Sequence, residues 1–128
     1  MKKLVFLLLA VVLLTACGQD KENDQRAAYV NITAEEAKRI MDSEEGYIIL
    51  DVRTQEEYDQ GHIPGATQIS HEEIADKAEE VLTDKEQLIL VYCRSGRRSK
   101  LAAEALVDLG YTNIKEFGGI IDWPYETE

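Results

Sequence analysis

The fold is decided by Gln87-Leu88-Ile89-Leu90-Val91-Tyr92, an apolar run that leads directly into Cys93 and a polar loop. The run is too short for an ordinary helix and contains β-branched residues, so it predicts a strand. Apolar side chains occupy almost every position, which is typical of strands buried on both faces in a parallel sheet. We therefore expect residues 87–92 to form the central strand of the domain.

The loop after this strand consists of Cys93-Arg94-Ser95-Gly96-Arg97-Arg98. From Ser99 onward apolar residues recur at the spacing of a helix. They are Leu101, Ala102, Ala105, Leu106 and Leu109. Gly110 stands where a helix commonly ends. The sequence thus predicts a strand, a short loop and a helix, with the cysteine at the carboxyl end of the strand.

Strand and helix patterns alternate on either side of this unit. Strands are predicted at residues 29–32, 47–52, 67–69 and 113–117, the last followed by a turn at Gly118-Gly119. Helices are predicted from the Thr33–Glu36 capping box to about residue 42, from the Thr54–Glu57 capping box to Gly61, and over residues 72–82. This alternation indicates an α/β domain with a parallel central sheet of about five strands, covered by helices on both faces.

The position of the loop suggests its chemistry. Ligands of open parallel sheets bind at the carboxyl ends of the strands, and a loop entering a helix directs backbone N–H groups toward one point. A Cys93 thiol placed there loses its proton more readily. Arg94, Arg97 and Arg98 concentrate positive charge near the sulfur, and Gly96 lets the loop close tightly. The pattern favours a thiolate and an anionic substrate. The alternative is an inert cysteine that fills a small apolar space.

The start of the chain has the features of an export signal. Met1-Lys2-Lys3 precedes eleven apolar residues, Leu4 to Leu14, and this run is shorter than the about 20 residues of a membrane-spanning helix. Leu14-Thr15-Ala16-Cys17 resembles the bacterial lipobox, whose cysteine becomes the lipid-modified first residue. The alternative is an ordinary signal peptide with a chance cysteine. We expect a lipoprotein signal peptide over 1–16, a disordered tether over 17–28 and one domain over 29–128.

The lipobox resemblance implies a diacylglyceryl group on Cys17. Two acyl chains anchor a protein firmly, so we expect an exported protein attached to the extracytoplasmic face of the cell membrane. The chain has two cysteines, and lipid on Cys17 would leave Cys93 without a partner for an intrachain disulfide. One remaining cysteine and two histidines at these spacings exclude a metal cluster.

The acidity of the chain limits its partners. The net charge is −11, and removal of residues 1–16, which contain two lysines and no acids, makes it −13. Such a surface argues against nucleic acid and against charge-driven binding to anionic lipid. We expect a monomer with no nucleic-acid partner.

Three residues outside the loop are candidates for supporting the pocket or the loop. Asp51 ends an apolar strand, so we expect it to be partly buried and paired with Arg53 or a nearby N–H rather than to act as a catalytic base. His62 precedes the Pro64-Gly65 turn. We expect its ring to hold that turn by a hydrogen bond, or alternatively to lie at the edge of a pocket near the loop.

Several motifs together resemble one known family. The segment Cys93-Arg94-Ser95-Gly96-Arg97-Arg98-Ser99 resembles the active-site loop of rhodanese domains. Further matching motifs are Asp51-Val52-Arg53, Glu57-Tyr58, Gly61-His62-Ile63-Pro64-Gly65-Ala66, Leu109-Gly110-Tyr111 and Gly118-Gly119-Ile120-Ile121-Asp122-Trp123. The resemblance covers the region from Tyr29 onward. With the lipobox, it implies a small exported single-domain sulfurtransferase of the rhodanese fold.

The resemblance also implies a mechanism. The Cys93 thiolate takes a sulfur atom from thiosulfate or another small anionic sulfane donor and holds it as a persulfide, stabilised by loop N–H groups and arginines. Cyanide or a cellular thiol then removes the sulfur, and the chemistry needs no metal and no cofactor. Two alternatives use the same fold: a persulfide carrier for a partner protein, and a binding module without turnover.

The length of the loop separates this chemistry from a related one. Phosphatases and arsenate reductases related to the fold resemble Cys-x5-Arg, a loop that surrounds a tetrahedral phosphate. Here Arg98 lies five residues after Cys93, and the sixth residue is Ser99. The shorter loop favours a sulfur atom on Cys93 over a phosphoryl group.

Overall fold

The computed structural model describes residues 28–128. The strands are β1 (Val30–Asn31), β2 (Ile48–Asp51), β3 (Thr67–Gln68), β4 (Ile89–Cys93) and β5 (Ile114–Gly119). The helices are α1 (Ala34–Ser43), α2 (Gln55–Asp59), α3 (Ile74–Val81) and α4 (Arg97–Asp108), with short 3₁₀ helices at His71–Glu73 and Ile120–Asp122. Between residues 28 and 128, no helix has the length and apolar composition needed to cross a bilayer.

The five strands form one parallel sheet in the order β1-β5-β4-β2-β3. β4 occupies the middle and all five of its residues are buried. The predicted α/β class, the parallel sheet and the central position of this strand are confirmed. The carboxyl end of β4 therefore lies between two neighbouring strands, where parallel sheets bind their ligands.

Side chains of β4 alternate between the two faces of the sheet. Ile89, Val91 and Cys93 pack in the apolar cluster that includes residues of α3 and α4. Leu90 and Tyr92 pack in the second cluster, with Ala37 of α1. Complete burial of a side chain such as Leu90 stabilises the folded state by about 1.5–3 kcal/mol. The alternation directs the Cys93 side chain toward α4 and the Tyr92 side chain away from it.

Both predicted capping boxes are present. Thr33 accepts a hydrogen bond from the backbone of Glu36, and the Glu36 side chain accepts one from the backbone of Thr33. Thr54 and Glu57 form the same reciprocal pair at the start of α2. Each box satisfies N–H groups that the first turn of a helix leaves without partners.

The helix predicted from Ser99 begins two residues earlier, at Arg97, so Arg97 and Arg98 belong to α4 and not to the loop. Two further local predictions differ from the structure. The predicted turn at Gly118-Gly119 is wrong, because both glycines belong to β5 and Gly119 pairs with Cys93. Because Gly118 and Gly119 have no side chains, β5 can continue beside the loop formed by residues 94–96. The helix predicted over 72–82 begins as the 3₁₀ helix His71–Glu73 and becomes α-helical only at Ile74.

The predictions for the start of the chain concern residues that the structure does not describe. The signal peptide over 1–16, the lipid site Cys17 and the tether up to residue 27 lie outside residues 28–128. They stay predictions.

Candidate active site

The loop 94–96 joins the carboxyl end of the central strand to the first turn of α4. Cys93 is the last residue of β4, and its side chain is 1% exposed, which places the sulfur beneath the loop. The backbone N–H of Gly96 donates a hydrogen bond to the sulfur over 2.9 Å. The hydroxyl oxygen of Ser99 lies 3.5 Å from the same sulfur atom. The sulfur thus has one backbone N–H donor and one hydroxyl group within hydrogen-bond distance on the side of the loop.

These contacts change the acidity of the thiol. Burial by itself raises the pKa of Cys93, because a charge is less well solvated away from water. Hydrogen bonds from the Ser99 side chain and from the backbone N–H groups of Gly96, Ser99 and Ser95 outweigh burial and hold the pKa below its ordinary value. An inert cysteine filling apolar space has no such donors. The geometry therefore favours the thiolate.

The backbone of Gly96 makes the contact with the sulfur possible. Gly96 is the N-cap residue of α4 and has φ +113°, a conformation that residues with a side chain rarely adopt. This conformation turns its N–H back toward Cys93 while its carbonyl begins the helix, accepting a hydrogen bond from the N–H of Lys100. The sequence predicted a glycine that closes the loop, and the structure shows which bond that closure forms.

Gly119 supports the loop from the neighbouring strand. A Cβ atom at this position would lie 1.9 Å from the carbonyl oxygen of Arg94 and 2.5 Å from the Cα atom of Ser95. The same Arg94 carbonyl accepts a hydrogen bond from the N–H of Ile121. The end of β5 and the following 3₁₀ helix thus hold the loop in place by direct backbone contact.

The three arginines that the sequence analysis assigned to the loop have different surroundings. The guanidinium of Arg98 forms two hydrogen bonds with the carboxylate of Glu57, over 2.8 and 3.0 Å, and so ties α4 to α2. These bonds from Arg98 lower the pKa of Glu57 to about 2. Arg94 and Arg97 are exposed, and no ion pair within residues 28–128 includes either of them. Two of the three predicted cations thus face solvent around the loop.

Sequence reasoning missed the two polar groups beneath the loop, Ser99 and Glu116. Both are almost completely buried, and the Ser99 hydroxyl contacts one oxygen of the Glu116 carboxyl group. A signal was present for Glu116, since its position in β5 alternates with Lys115 and so shares the inward face of Ile114. A charged residue at an inward position of a predicted strand marks a candidate site.

Asp51 and Arg53 form a buried ion pair at the end of β2. Arg53 donates to Asp51 from its backbone and from its guanidinium over 2.7–3.2 Å, and it also donates to the carbonyl oxygen of Gly61 over 2.8 Å. The hydroxyl of Tyr92 donates to Asp51 over 2.6 Å and accepts from the N–H of Ile63 over 3.1 Å. The expected pairing of Asp51 is confirmed, and these groups hold the segment 61–63 against the sheet.

His62 belongs to the same segment. Its Nδ1 lies 2.9 Å from the carbonyl oxygen of Tyr58, and its ring stacks on the Tyr58 ring with centroids 3.7 Å apart. Its backbone exchanges two hydrogen bonds with Glu128 near the end of the chain. These contacts fix the entry to the Pro64-Gly65 turn. Among residues 28–128, no group of His, Cys, Asp and Glu side chains is arranged to hold a metal ion.

The family of the chain follows from comparison with known proteins. Residues 33–124 match the family described as Rhodanese-like domain, and the chain belongs to this family. PspE of Escherichia coli, named a thiosulfate sulfurtransferase, is 38% identical over 73 residues, which cover 57% of this chain and 70% of PspE. YrkF of Bacillus subtilis, named "Putative sulfur carrier protein", is 36% identical over 112 residues, which cover 87% of this chain and 60% of YrkF.

Solved structures agree with these sequence matches. A rhodanese with anions from E. coli has a TM-score of 0.60 and 34% identity, covering 64% of this chain and 96% of that chain. A rhodanese-like domain from Anabaena has a TM-score of 0.71 and 29% identity, covering 79% of this chain and 78% of that chain. The predicted family and fold are confirmed, and the chain is a member of a sulfurtransferase family.

Proposed function

We propose that the protein transfers sulfane sulfur from a small anionic donor such as thiosulfate to a thiol or to cyanide, through a persulfide on Cys93. The observation that carries this proposal is the hydrogen bond from the Gly96 N–H to the Cys93 sulfur over 2.9 Å. Together with the nearby Ser99 hydroxyl, it stabilises negative charge on that atom, which both the thiolate and the reaction require.

The proposed reaction has two steps. The Cys93 thiolate attacks the outer sulfur of thiosulfate, the S–S bond of the donor breaks, and its electron pair leaves with sulfite. The outer sulfur remains on Cys93 as a persulfide anion. An acceptor thiolate or cyanide then attacks this sulfur, the new S–S bond breaks, and Cys93 returns as a thiolate. Charge is conserved in each step, and neither step needs an oxidant or reductant.

The charge around the loop supports an anionic donor. The chain has a net charge of −11, and an anion approaching most of its surface would be repelled. Arg94 and Arg97 are exposed beside the loop, and Arg98, although paired with Glu57, interacts electrostatically with Cys93. Positive charge beside the loop would direct a small anion toward the sulfur.

The test is sulfur transfer by the purified protein. Thiosulfate and cyanide should yield thiocyanate, and mass spectrometry after thiosulfate alone should show one added sulfur on Cys93. The variant Cys93→Ser should lose both signals, since a serine hydroxyl is a far weaker nucleophile. The matched control is Cys17→Ser, which makes the same change outside residues 28–128 and should keep full activity. Activity retained by Cys93→Ser would exclude the proposed nucleophile.

A second candidate function is a persulfide carrier, favoured by the 36% identity with YrkF over 87% of this chain. A carrier and an enzyme share the same residues, so the distinction is kinetic. An enzyme turns over repeatedly with small donors and acceptors. A carrier would load one sulfur from thiosulfate slowly and release it quickly only to a partner protein. Single-turnover loading and unloading rates of Cys93, measured with small thiols, separate the two.

The proposal includes attachment to the extracytoplasmic face of the membrane through lipid on Cys17. It rests on the Leu14-Thr15-Ala16-Cys17 pattern after the apolar run. Expression of the full chain in bacteria should give a membrane-bound, processed protein that incorporates labelled fatty acid. The variant Cys17→Ala should be released or remain unprocessed. A processed Cys17→Ala protein still retained in the membrane would contradict the lipid anchor.

A further inference from the structure

Two large apolar side chains are exposed beside the active loop. Leu101 of α4 is 46% exposed, and Ile121, which follows β5, is 56% exposed. Among residues 28–128, the only other large apolar side chains exposed to this degree are Val30 and Val81. A single exposed apolar residue is common on a protein surface and needs no role. Two of them on either side of a nucleophile are a more specific observation, because they flank the place where a second molecule must approach.

Direct contacts and helix geometry tie this surface to the loop. The N–H of Ile121 donates to the carbonyl oxygen of Arg94 over 3.2 Å. Leu101 lies four positions after Arg97 in α4, so the two side chains are neighbours on one face of the helix. A Cβ atom at Gly96 would lie 3.8 Å from the ammonium nitrogen of Lys100, so this group lies against the loop. We call the exposed residues around the loop the loop rim: Arg94, Arg97, Lys100, Leu101 and Ile121.

The loop rim carries three positive charges. Arg94, Arg97 and Lys100 are exposed, and no ion pair within residues 28–128 includes any of them. Most other cations in the described part of the chain pair with acids: Lys38, Arg53, Lys77, Lys85 and Arg98. A chain with a net charge of −11 thus places cations and apolar side chains together at this surface. Charge complementarity therefore favours an acidic partner.

The depth of the sulfur limits the shape of that partner. Cys93 is 1% exposed, beneath the loop. The outer sulfur of a persulfide extends only about 2 Å farther, the length of an S–S bond. A flat protein surface resting on the loop rim could not bring a thiol to this atom. An acceptor cysteine of a partner protein must therefore stand on a protruding segment, whose neighbouring residues then contact the loop rim.

We propose that the loop rim is the docking surface for a protruding segment of a partner protein, in which the acceptor cysteine is flanked by acidic and large apolar residues. The acids of the segment pair with Arg94, Arg97 and Lys100, and its apolar residues cover Leu101 and Ile121. A small anionic donor or acceptor needs only the cations. The apolar residues contribute only when the occupant has apolar surface of its own, since covering them removes both surfaces from water.

Docking places the acceptor thiolate in line with the persulfide. The thiolate of the segment attacks the outer sulfur of the Cys93 persulfide. The S–S bond of the persulfide breaks, its electron pair returns to Cys93 as a thiolate, and the segment leaves as a persulfide anion. Two negative charges are present before and after the step. This transfer step rests on the proposed function, and the docking does not.

Thiol–disulfide exchange tests the docking without a sulfur donor. The probe is a short peptide with one cysteine between glutamates and leucines, joined to thionitrobenzoate as a mixed disulfide. The Cys93 thiolate attacks the cysteine sulfur of the probe, the S–S bond breaks, and thionitrobenzoate leaves with the electron pair as a coloured product. The full chain carries Cys17→Ser, so that Cys93 is the reacting thiol.

Each rate is divided by the rate of the same probe with free cysteine, which removes differences in intrinsic reactivity. The probe with glutamates and leucines should then react about tenfold faster than a matched probe with lysines in place of the glutamates. Added salt should reduce this difference, because it screens exposed charges.

Variants of the loop rim locate the contact. Leu101→Ser should slow the reaction with the glutamate probe about five- to tenfold, relative to alkylation of the same variant by iodoacetamide. The matched control is Val81→Ser, since Val81 is 47% exposed at the end of α3, and this ratio should not change. Arg97→Gln should slow the probe about threefold. Its control is Arg39→Gln, which removes an exposed cation of α1 that forms no ion pair within residues 28–128 and should have no effect.

Equal normalised rates for the glutamate and lysine probes would overturn the inference. So would a Leu101→Ser variant that reacts like Val81→Ser, or a mixed disulfide of mercaptosuccinate that reacts as fast as the peptide, because charge alone would then act at the loop. Binding to phosphatidylglycerol vesicles that Arg97→Gln abolishes, without a preference for the glutamate probe, would assign the loop rim to lipid and would also overturn it. A chain with the expected preferences that made no thiocyanate would contradict the proposed function alone. An active chain without these preferences would contradict this inference alone.

Discussion

The backbone N–H of Gly96 points at the sulfur of Cys93 from 2.9 Å, three residues along the chain. This contact joins the end of the central strand to the start of α4, and it places a donor where negative charge develops. In a loop this short, the conformation of one glycine determines both the start of the helix and the environment of the nucleophile.

The first prediction concerns the pH dependence of the thiol. Hydrogen bonds hold the pKa of Cys93 below its ordinary value of 9.0 despite burial. The reactive thiolate should therefore form at lower pH in the folded protein than in the unfolded chain. Rates of iodoacetamide alkylation, measured from pH 5 to 10, should reach half their maximum at lower pH in buffer than in concentrated urea. Equal midpoints in the two conditions would show that the loop does not stabilise the thiolate.

The second prediction concerns Gly96 itself. Gly96→Ala places a side chain at φ +113°. Either the folded state keeps this strained conformation and loses about 1–3 kcal/mol of stability, or the backbone moves and carries its N–H away from the sulfur. We expect lower stability together with a higher pH midpoint for alkylation of Cys93. The matched control is Gly46→Ala, at φ +80° in a loop away from Cys93. It should cost comparable stability in a urea titration and leave the alkylation midpoint unchanged.

The third prediction separates steric contact from backbone strain at the end of β5. Gly119 has an ordinary extended φ of −133°, but a Cβ there would lie 1.9 Å from the Arg94 carbonyl oxygen. Gly118 has φ +89° and no atom within 4 Å of the corresponding position. Gly119→Ala should displace the loop and reduce sulfur transfer strongly. Gly118→Ala should lower stability by about 1–3 kcal/mol with a smaller loss of activity. Equal activity of the two variants would show that the close approach of Gly119 to the Arg94 carbonyl does not hold the loop in place.

The fold could be predicted because local patterns agreed with tertiary burial. The apolar run before Cys93 is buried on both faces as its composition requires, and Thr33 and Thr54 begin helices because their side chains satisfy first-turn N–H groups. Gly118-Gly119 was predicted as a turn because glycine pairs usually punctuate chains. In the structure the absence of side chains serves close approach to the loop. A contact with residues distant in sequence decides that position.

The site was predictable only along the continuous loop. Cys93 and Gly96 lie three residues apart in the chain, so their relation followed from a strand that leads into a helix. Glu116 reaches the site from another strand, and Glu57 reaches Arg98 from α2, 41 residues earlier. Such partners depend on the order of strands in the sheet. Local patterns do not specify that order.

The fourth prediction concerns the buried hydroxyl of Tyr92. It donates to Asp51 and accepts from the N–H of Ile63, so Tyr92→Phe leaves that N–H without a partner and should cost about 1–3 kcal/mol. Because Tyr92 lies on the opposite face of the sheet from Cys93, alkylation of the folded variant should keep its rate and midpoint. Tyr125→Phe is the control, since Tyr125 is half-buried and its hydroxyl forms no hydrogen bond within residues 28–128. A changed pH midpoint of Cys93 alkylation in Tyr92→Phe would show that the Tyr92 hydroxyl influences the thiol across the sheet.

The fifth prediction uses the ion pair between Glu57 and Arg98. Arg98 lowers the pKa of Glu57 from 4.5 to about 2. A folded-state pKa below the unfolded value stabilises the protein above pH 4.5, and this stabilisation is lost as pH falls toward 2. Both side chains are partly exposed, so solvent screening limits the contribution to about 1 kcal/mol.

Glu57→Gln isolates this charge, because glutamine at the same position can still complete the capping box with Thr54. Urea titrations at pH 7 should show the variant about 1 kcal/mol less stable than the wild type. The difference should shrink between pH 4.5 and 2 as Glu57 takes up its proton. Glu56→Gln removes an exposed acid from the same turn, and its effect should be small and lack this pH window. A Glu57→Gln deficit that persisted unchanged below pH 3 would mean that packing, and not the charge, joins α2 to α4.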